Sequence, residues 1–513
     1  MKKLGILTLT VLLLGFTSQL NPEPKKITKK FFPELDIEIN TPAFQKKKGF
    51  TNYDELTQFL TELQVKHSNV MTISYIGSSQ KGKAIPLVTL KKNSGDTSRV
   101  RVWLQGGLHG DEMASTEGVL YILERLLNDS SHSHLLDRLE IRIVPMANID
   151  GYLKQDRYAA NGLDLNRDQT KLMAPESVSL KQAFSNFKAE VAVDFHEYRP
   201  YRKDFSKLST MGITSRYDAM FMYSGNLNVP LNVRQLTKDV FVTNAEQVLK
   251  NNGIAYRDYV TTTKVLGDIH FNQGSNNARS SATSYALSNC ISSLIEIRGV
   301  GLGRTSFKRR VNSTFLIGMS YLNSSYQNFE KLKQELALGE RAHQEVTVTC
   351  KKDINNEKLT VIDLETCSEI ELDATIHNAS NSIATLVRAR PTAYIIEQSH
   401  TRLIDKLKTL GLTLEKTKED KMAAIETFTV SSYTKEGEKY EGVYRQKVKT
   451  IVNEETKTIP AGSFIIYTNQ KNASLAFEVL EPEAPNSFVS FHVLSCELGE
   501  TLPIYRYLKT EKL

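Results

Sequence analysis

The sequence predicts an α/β fold: a mixed, mostly parallel sheet with helices on both faces, followed by a C-terminal β-rich domain. Three observations carry this. Apolar strand-like runs alternate with helix-period stretches from about Phe50 onward, the pattern of a covered, largely parallel sheet. The composition is globular, with 40% hydrophobic, 24% charged and 8% aromatic residues in 513. The texture changes after Glu345, where short β-type runs and turn residues replace the strand–helix alternation.

Element by element, Tyr53–His67 reads as a helix because Leu56, Phe59, Leu60 and Leu63 recur at helical spacing. Strands are expected at Met71–Ile76, Ile85–Leu90 and Arg99–Leu104; in the last, Val100, Val102 and Leu104 alternate with Arg99, Arg101 and Trp103. Met113–Leu127 carries an apolar helical stripe from Val119 to Leu127. Further strands are expected at Glu140–Met146, Glu190–Phe195 and Ile291–Ile297, then a polar helix near Tyr326–Glu345. Beyond it, strands are expected at Lys358–Ile362, Ala393–Ile396, Ser463–Tyr467 and Ser487–Val493, with one helix at Ser399–Leu410. The expected division is 1–19 signal peptide, 20–48 extended lead, 49–335 catalytic domain and 346–513 β-rich accessory domain.

Lys2 and Lys3 precede a largely apolar stretch thirteen residues long, Leu4–Phe16, and then polar Thr17, Ser18 and Gln19. A basic start and a short apolar run describe a secretory signal, and thirteen residues are too few to span a bilayer comfortably. The alternative is an uncleaved anchor. The protein is therefore expected to be exported (periplasmic, cell-surface or secreted), with no stable membrane span. Net charge is +7, from lysines scattered without a clustered basic face or recognisable module, so no nucleic-acid partner is expected. Of four cysteines, Cys350 and Cys367 flank a turn-like stretch and could close a hairpin. No C-x-x-C spacing supports a thiolate metal site.

Four segments could carry chemistry. In Gln105–Glu112 two glycines turn the chain off a strand, and His109 and Glu112 stand three apart, able to reach one metal ion with an open position. The apolar strand of Val191–Tyr198 ends in His196, where functional groups of such sheets gather. In Ser293–Gly299, Glu296 is a carboxylate within an apolar strand, costly unless paired or metal-linked. It suits a general base, and an ion pair with Arg298 is its structural alternative. The loop Arg157–Arg167 offers two arginines and an asparagine for carboxylate or oxyanion binding, or is an ordinary charged turn.

Taken together, residues from about Phe50 to Tyr326 resemble the zinc carboxypeptidases of the carboxypeptidase A type. The family pattern is H-x-x-E, an N-x-D-G turn, R…N-G-x-D-x-N-R, a strand-end histidine and a strand glutamate. It appears in that order as His109/Glu112, Asn148–Gly151, Arg157, Asn161–Arg167, His196 and Glu296. The resemblance implies one Zn2+ per chain on His109, Glu112 and His196, with Asp164 holding His109 from behind. It implies Glu296 as the base that deprotonates the metal-bound water and Arg157 as the support of the carbonyl oxyanion. Asn166 and Arg167 would grip the terminal carboxylate of a peptide, with Tyr198 lining the cleft. Two departures stand out: Ile149 where proline is usual, and Gly274 near the place of the family's mobile tyrosine, with His270, Phe271 or Asn276 as substitutes. The side-chain pocket falls on Asn277–Thr283; Arg279 there would favour acidic side chains if turned inward, or pairs with a surface carboxylate. The expected activity is metallocarboxypeptidase hydrolysis of the C-terminal amide bond of peptides. The alternatives are a peptidoglycan stem-peptide amidohydrolase or endopeptidase, and a non-catalytic binding protein on the same scaffold.

Overall fold

The computed structural model describes residues 24–92, 98–341 and 344–513; the expected signal peptide at 1–19 lies outside them. No helix among the described residues is long and apolar enough to cross a membrane. Eleven strands precede residue 300: β1 (Met71–Ser78), β2 (Ala84–Leu90), β3 (Val100–Gln105), β4 (Leu139–Val144), β5 (Val191–Tyr198), β6 (Ile213–Ser215), β7 (Ala219–Tyr223), β8 (Tyr256–Asp258), β9 (Val260–Val265), β10 (Asp268–Gln273) and β11 (Ile291–Arg298). The main sheet has the order β1-β2-β4-β3-β5-β11-β7-β8. Its centre, β4, β3, β5 and β11, is parallel, and antiparallel strands flank it. Strand pleating gives this centre two apolar faces. Phe195 meets Gly318 of the helix Phe307–Gln327 on one face, while Trp103 meets Phe184 of the helix Pro175–Phe187 on the other.

The lead, expected to be extended, contains a helix at Lys25–Phe31 and a single turn at Pro42–Gln45. Ile27 and Phe32 bury against Ile362 and Cys367, which gives this short helix the tertiary support its length cannot supply. The helix Tyr53–Lys66 opens with a capping box between Asn52 and Glu55.

After residue 344 come β12 (Glu345–Asp363), β13 (Ser368–Ala389), β14 (Ala393–Ile396), β15 (Glu415–Lys416), β16 (Lys421–Tyr440), β17 (Val443–Ile459), β18 (Phe464–Tyr467) and β19 (Ile504–Tyr507). The short runs expected at Ala393–Ile396 and Ser463–Tyr467 form β14 and β18, whereas Lys358–Ile362 is part of the first of two long hairpins, β12–β13 and β16–β17, whose length exceeds what was expected. The first joins β6, β10 and β9 in a five-stranded sheet; the second closes a six-stranded sheet ordered β15-β18-β14-β19-β16-β17. Ser487–Val493, expected as a strand, is a series of turns, with Ser487 N–H bonded to Ala484 O and Phe491 N–H to Ser487 O. Pro482 and Pro485 just before it disfavour a regular ladder. All four cysteines are free. Cys350 lies opposite Ala384 while Cys367 sits at the hairpin tip, roughly 40 Å along the strand, so the expected bridge does not form.

One apolar cluster runs from Ile39 through the main sheet to Tyr394, Phe428, Phe477 and Ile504. The C-terminal segment therefore completes the core of the parallel sheet. Buried Glu478 makes the junction polar as well, accepting from Asn226 at 2.7 Å and Asn228 at 2.9 Å.

Candidate metal centre and peptide site

The C-terminal ends of β3, β5 and β11 converge on one point. After β3 the chain turns at Gly107 (φ +67°), where any side chain would be strained. Gly110 lies so close to the Asn148–Gly151 turn that a Cβ would come within 2.1 Å of the Gly151 carbonyl carbon. That turn is itself pinned, since Asp150 accepts Ser79 Oγ and Lys81 N–H, each at 2.9 Å. The N-x-D-G motif is thus a structural floor that aims His109.

His109, Glu112 and His196 come together, fully buried. Glu112 straddles the histidines: Oε1 is 2.7 Å from His109 Nδ1 and Oε2 is 2.8 Å from His196 Nδ1. The two Nδ1 atoms are 3.0 Å apart. Each ring's Nε2 faces an aspartate, His109 to Asp164 at 3.0 Å and His196 to Asp194 at 2.9 Å. Those aspartates fix the proton on Nε2 and leave both Nδ1 lone pairs pointing at each other and at a carboxylate. Such an arrangement demands positive charge at its centre. Burial disfavours charge on both imidazoles, yet Glu112 with Asp164 on one and Asp194 with Glu112 on the other outweigh it, so both hold a proton more tightly than usual. Burial likewise opposes charge on Glu112, but the two histidines hold it well below the usual carboxylate range. Two imidazole nitrogens and a carboxylate, preset by outer carboxylates, fit a zinc ion with an open position.

Glu296 pairs in parallel register with His196, so both side chains leave the sheet on the same face. Its Oε2 is buried without a hydrogen-bond partner. Burial and then the Glu112 charge push its carboxyl up to about 7; a dication between the histidines would draw it down again. Arg298, the alternative partner, lies over the Phe32 ring at 3.9 Å and donates to Thr214 Oγ1 at 3.3 Å.

Arg157 binds Asp164 Oδ2 through Nε at 3.2 Å and Nη2 at 2.9 Å, with Nη1 3.5 Å from Glu112. Asn166 is anchored by accepting Ser281 N–H at 2.8 Å, and Arg167 donates to Asn166 O at 2.8 Å. Arg279 follows in the same neighbourhood, stacked by residues of the C-terminal half. Tyr198 lines a small adjoining cavity of about 50 Å³ together with Tyr217, Val260 and Phe271. Its hydroxyl bonds Ser215 Oγ at 2.9 Å and the Tyr217 carbonyl.

Residues 56–288 match the model of the zinc carboxypeptidase family. The chain carries a zinc carboxypeptidase domain. Carboxypeptidase 2 of Trichophyton rubrum is 28% identical across 98% of this chain and 97% of its own length. Carboxypeptidase 2 of Trichophyton equinum is 28% identical across 93% and 92%. Among solved structures, the carboxypeptidase A of Helicoverpa armigera overlays 56% of this chain and 78% of its own, with 18% identity and a TM-score of 0.43.

Several residues around this site escape a reading by motif. Asp194 is two before His196 on one strand face, a signal that strand periodicity does contain. Glu441, at the tip of β16–β17, accepts Asp164 N–H at 3.1 Å across 277 residues, and nothing local announces it. Gly274 is favoured by its positive φ (+66°), where any side chain would be strained, and a Cβ there would also press on Ser380 Oγ at 2.5 Å. His270 pairs with His377 at 3.0 Å, Phe271 is buried in a separate apolar cluster and Asn276 donates to Ser382, so these three are spent elsewhere. Tyr259, whose carbonyl accepts Gly274 N–H, stands near Glu296 instead; burial and then that carboxylate push its phenol up to about 12.

Proposed function

We propose that this zinc metallopeptidase removes the last residue from peptides, with His109, Glu112 and His196 holding one zinc ion. The observation that carries the reading is the pair of facing Nδ1 atoms closed by Glu112, with Glu296 in register beside them. Zinc bound there supplies Lewis-acid polarisation of the scissile carbonyl and activation of water. Glu296, set beside the histidines by its register with His196, accepts the proton of the attacking water and returns it to the leaving amine. Arg157, held by Asp164, turns Nη1 toward the site and supports negative charge on the carbonyl oxygen. Asn166 and Arg167 bind the terminal carboxylate; the Asn166 carbonyl is spent on Ser281 N–H, so its amide N–H groups are the ones offered to substrate. Tyr259 takes the place beside Glu296 that Gly274 leaves without a side chain. Export of the protein belongs to the same reading, and N-terminal sequencing of material recovered outside cells tests it. The names of the fungal relatives favour peptide substrates, and the peptidoglycan-stem alternative has no such support.

The test uses paired peptides, one with a free C-terminal carboxylate and one amidated, with and without a zinc chelator. Release of only the last residue, from the free acid alone and abolished by chelation, is expected. Equal cleavage of both peptides would overturn the carboxylate grip.

A further inference from the structure

Four buried arginines around the main sheet and its C-terminal extension come with carboxylates. Arg309 pairs with Asp218, Arg310 with Glu197, Arg388 with Glu481 and Glu483, and Arg506 with Glu426. A guanidinium taken from water without an anion costs several kcal/mol, so such pairing is expected. Arg279 differs from these four. It is 6% exposed, and its neighbours are neutral: Cζ lies 4.9 Å from the Tyr440 ring and 4.8 Å from the Phe491 ring, and Nε donates to Asn486 Oδ1 at 2.9 Å and Asn277 Oδ1 at 3.3 Å. Its Nη1 is buried with no hydrogen-bond partner. Among the described residues no carboxylate reaches it within ion-pair distance.

A second unpaired guanidinium stands close by. Arg167 spends Nη1 on Asn166 O and has no carboxylate within ion-pair distance among the described residues. Burial, and less strongly the charges of Arg167 and Arg445, make the Arg279 cation harder to keep than usual, although the Tyr440 hydroxyl partly offsets this. Arg445 is already paired with Glu436. The turn bearing Arg279 is tied directly to the proposed carboxylate grip, through Ser281 N–H to Asn166 Oδ1 and Gln169 N–H to Arg279 O at 3.4 Å. Two guanidiniums therefore await anions at one end of the cleft, while a peptide's terminal carboxylate brings a single negative charge.

We propose that Arg279 receives a second carboxylate, on the side chain of the substrate's last residue, so that the enzyme prefers peptides ending in glutamate or aspartate. This rests on the carboxypeptidase reading above. Tyr440 and Phe491 hold the guanidinium between aromatic rings, and the Nη1 they leave without a hydrogen bond is the atom offered to the incoming carboxylate. These rings come from the C-terminal half, which thereby supplies a wall of the specificity pocket.

The experiment compares kcat/KM of the zinc-loaded full chain on peptides identical except for a last residue of Glu, Gln or Arg. Glutamate is expected to exceed its neutral isostere glutamine by about tenfold or more, the value of a hydrogen bond to a charged partner, and arginine to be poorest. Arg279→Gln should bring the Glu:Gln ratio close to one. Because that variant perturbs a buried turn, the unmutated protein gives a second readout: free L-glutamate should inhibit more strongly than L-glutamine by a similar factor. Equal handling of the Glu and Gln peptides by the unmutated enzyme overturns the inference and leaves the peptidase standing. Cleavage of no peptide, whatever its last residue, overturns the functional reading and the inference with it.

Discussion

Asp194→Asn is the sharpest probe of how the metal centre is preset. Asp194 is fully buried; Oδ2 holds His196 Nε2 at 2.9 Å and Oδ1 accepts Gln105 Nε2 at 3.1 Å. An asparagine fits the space but cannot serve both partners. With its oxygen toward His196 its amide meets the Gln105 amide, donor against donor; with its amide toward His196 the imidazole proton is driven to Nδ1, the atom meant for the metal. Loss of such an outer partner typically costs 10–100-fold in metal affinity. Both orientations are penalised here, so we expect the upper end, about 100-fold or ~3 kcal/mol. Zinc affinity is read by competition with a chromogenic chelator, with circular dichroism as the check on folding. Gln105→Glu added to Asp194→Asn supplies an acceptor for the asparagine amide and restores the lost charge, so partial recovery is expected. Zinc affinity within twofold of the unmutated protein in Asp194→Asn would refute the reasoning, and an unrescued double variant would refute the hydrogen-bond account of it.

Glu296→Gln should lower turnover by about 100-fold or more while zinc binding, measured by the same competition, is kept. Arg310→Ala strands Glu197, whose Oε1 it holds at 2.8 Å and 2.5 Å in the interior; a loss of about 3–5 kcal/mol in urea unfolding is expected, against near-neutrality for an exposed arginine such as Arg402. In chelator-treated protein, Glu296 binds its proton more tightly folded than unfolded. The stability it contributes is therefore full below about 4.5 and is lost as pH rises through about 7, by ~2–3 kcal/mol. Urea midpoints at pH 5 and pH 8 should show this slope in the unmutated protein and a flatter one in Glu296→Gln.

The convergence of the candidate site was legible because its residues stand at or just beyond strand ends in fixed order. His196 and Glu296 lie in apolar strands whose periodicity fixes their face, while His109 and Glu112 follow a third apolar strand across a glycine turn. Asp164 was legible through the family pattern, whereas Asp194 needed only the observation that it shares a face with His196. What escaped depends on long-range contact. The hairpins β12–β13 and β16–β17 are rich in Lys, Glu, Thr and Asn, so their length shows little hydrophobic contrast and is set by cross-strand pairing. Ser487–Val493 has a strand's composition but is bound into turns by Ser487 and docks Phe491 on Arg279. Tyr259 could not be matched to Gly274 by position, because a hydrogen bond between adjacent strands brings them together.

The C-terminal half cannot be an appended module that merely tethers the peptidase. Glu441 accepts Asp164 N–H and takes Lys171 Nζ on its carbonyl at 2.9 Å, so a residue 277 positions away helps hold the aspartate that bonds His109. Tyr440 and Phe491 hold Arg279, Asn486 completes its bonds, and Glu478 anchors the turn at Asn226–Asn228. Each contact joins a loop of the parallel sheet to the second half, and the apolar cluster beneath them is unbroken. Removing the second half would uncover that core and untie the loop carrying Arg157, Asp164, Asn166 and Arg167. A chain built this way keeps both halves together. The 28% identity to a fungal carboxypeptidase over 98% of this chain, well past the end of the family match at residue 288, is the pattern such mutual dependence produces.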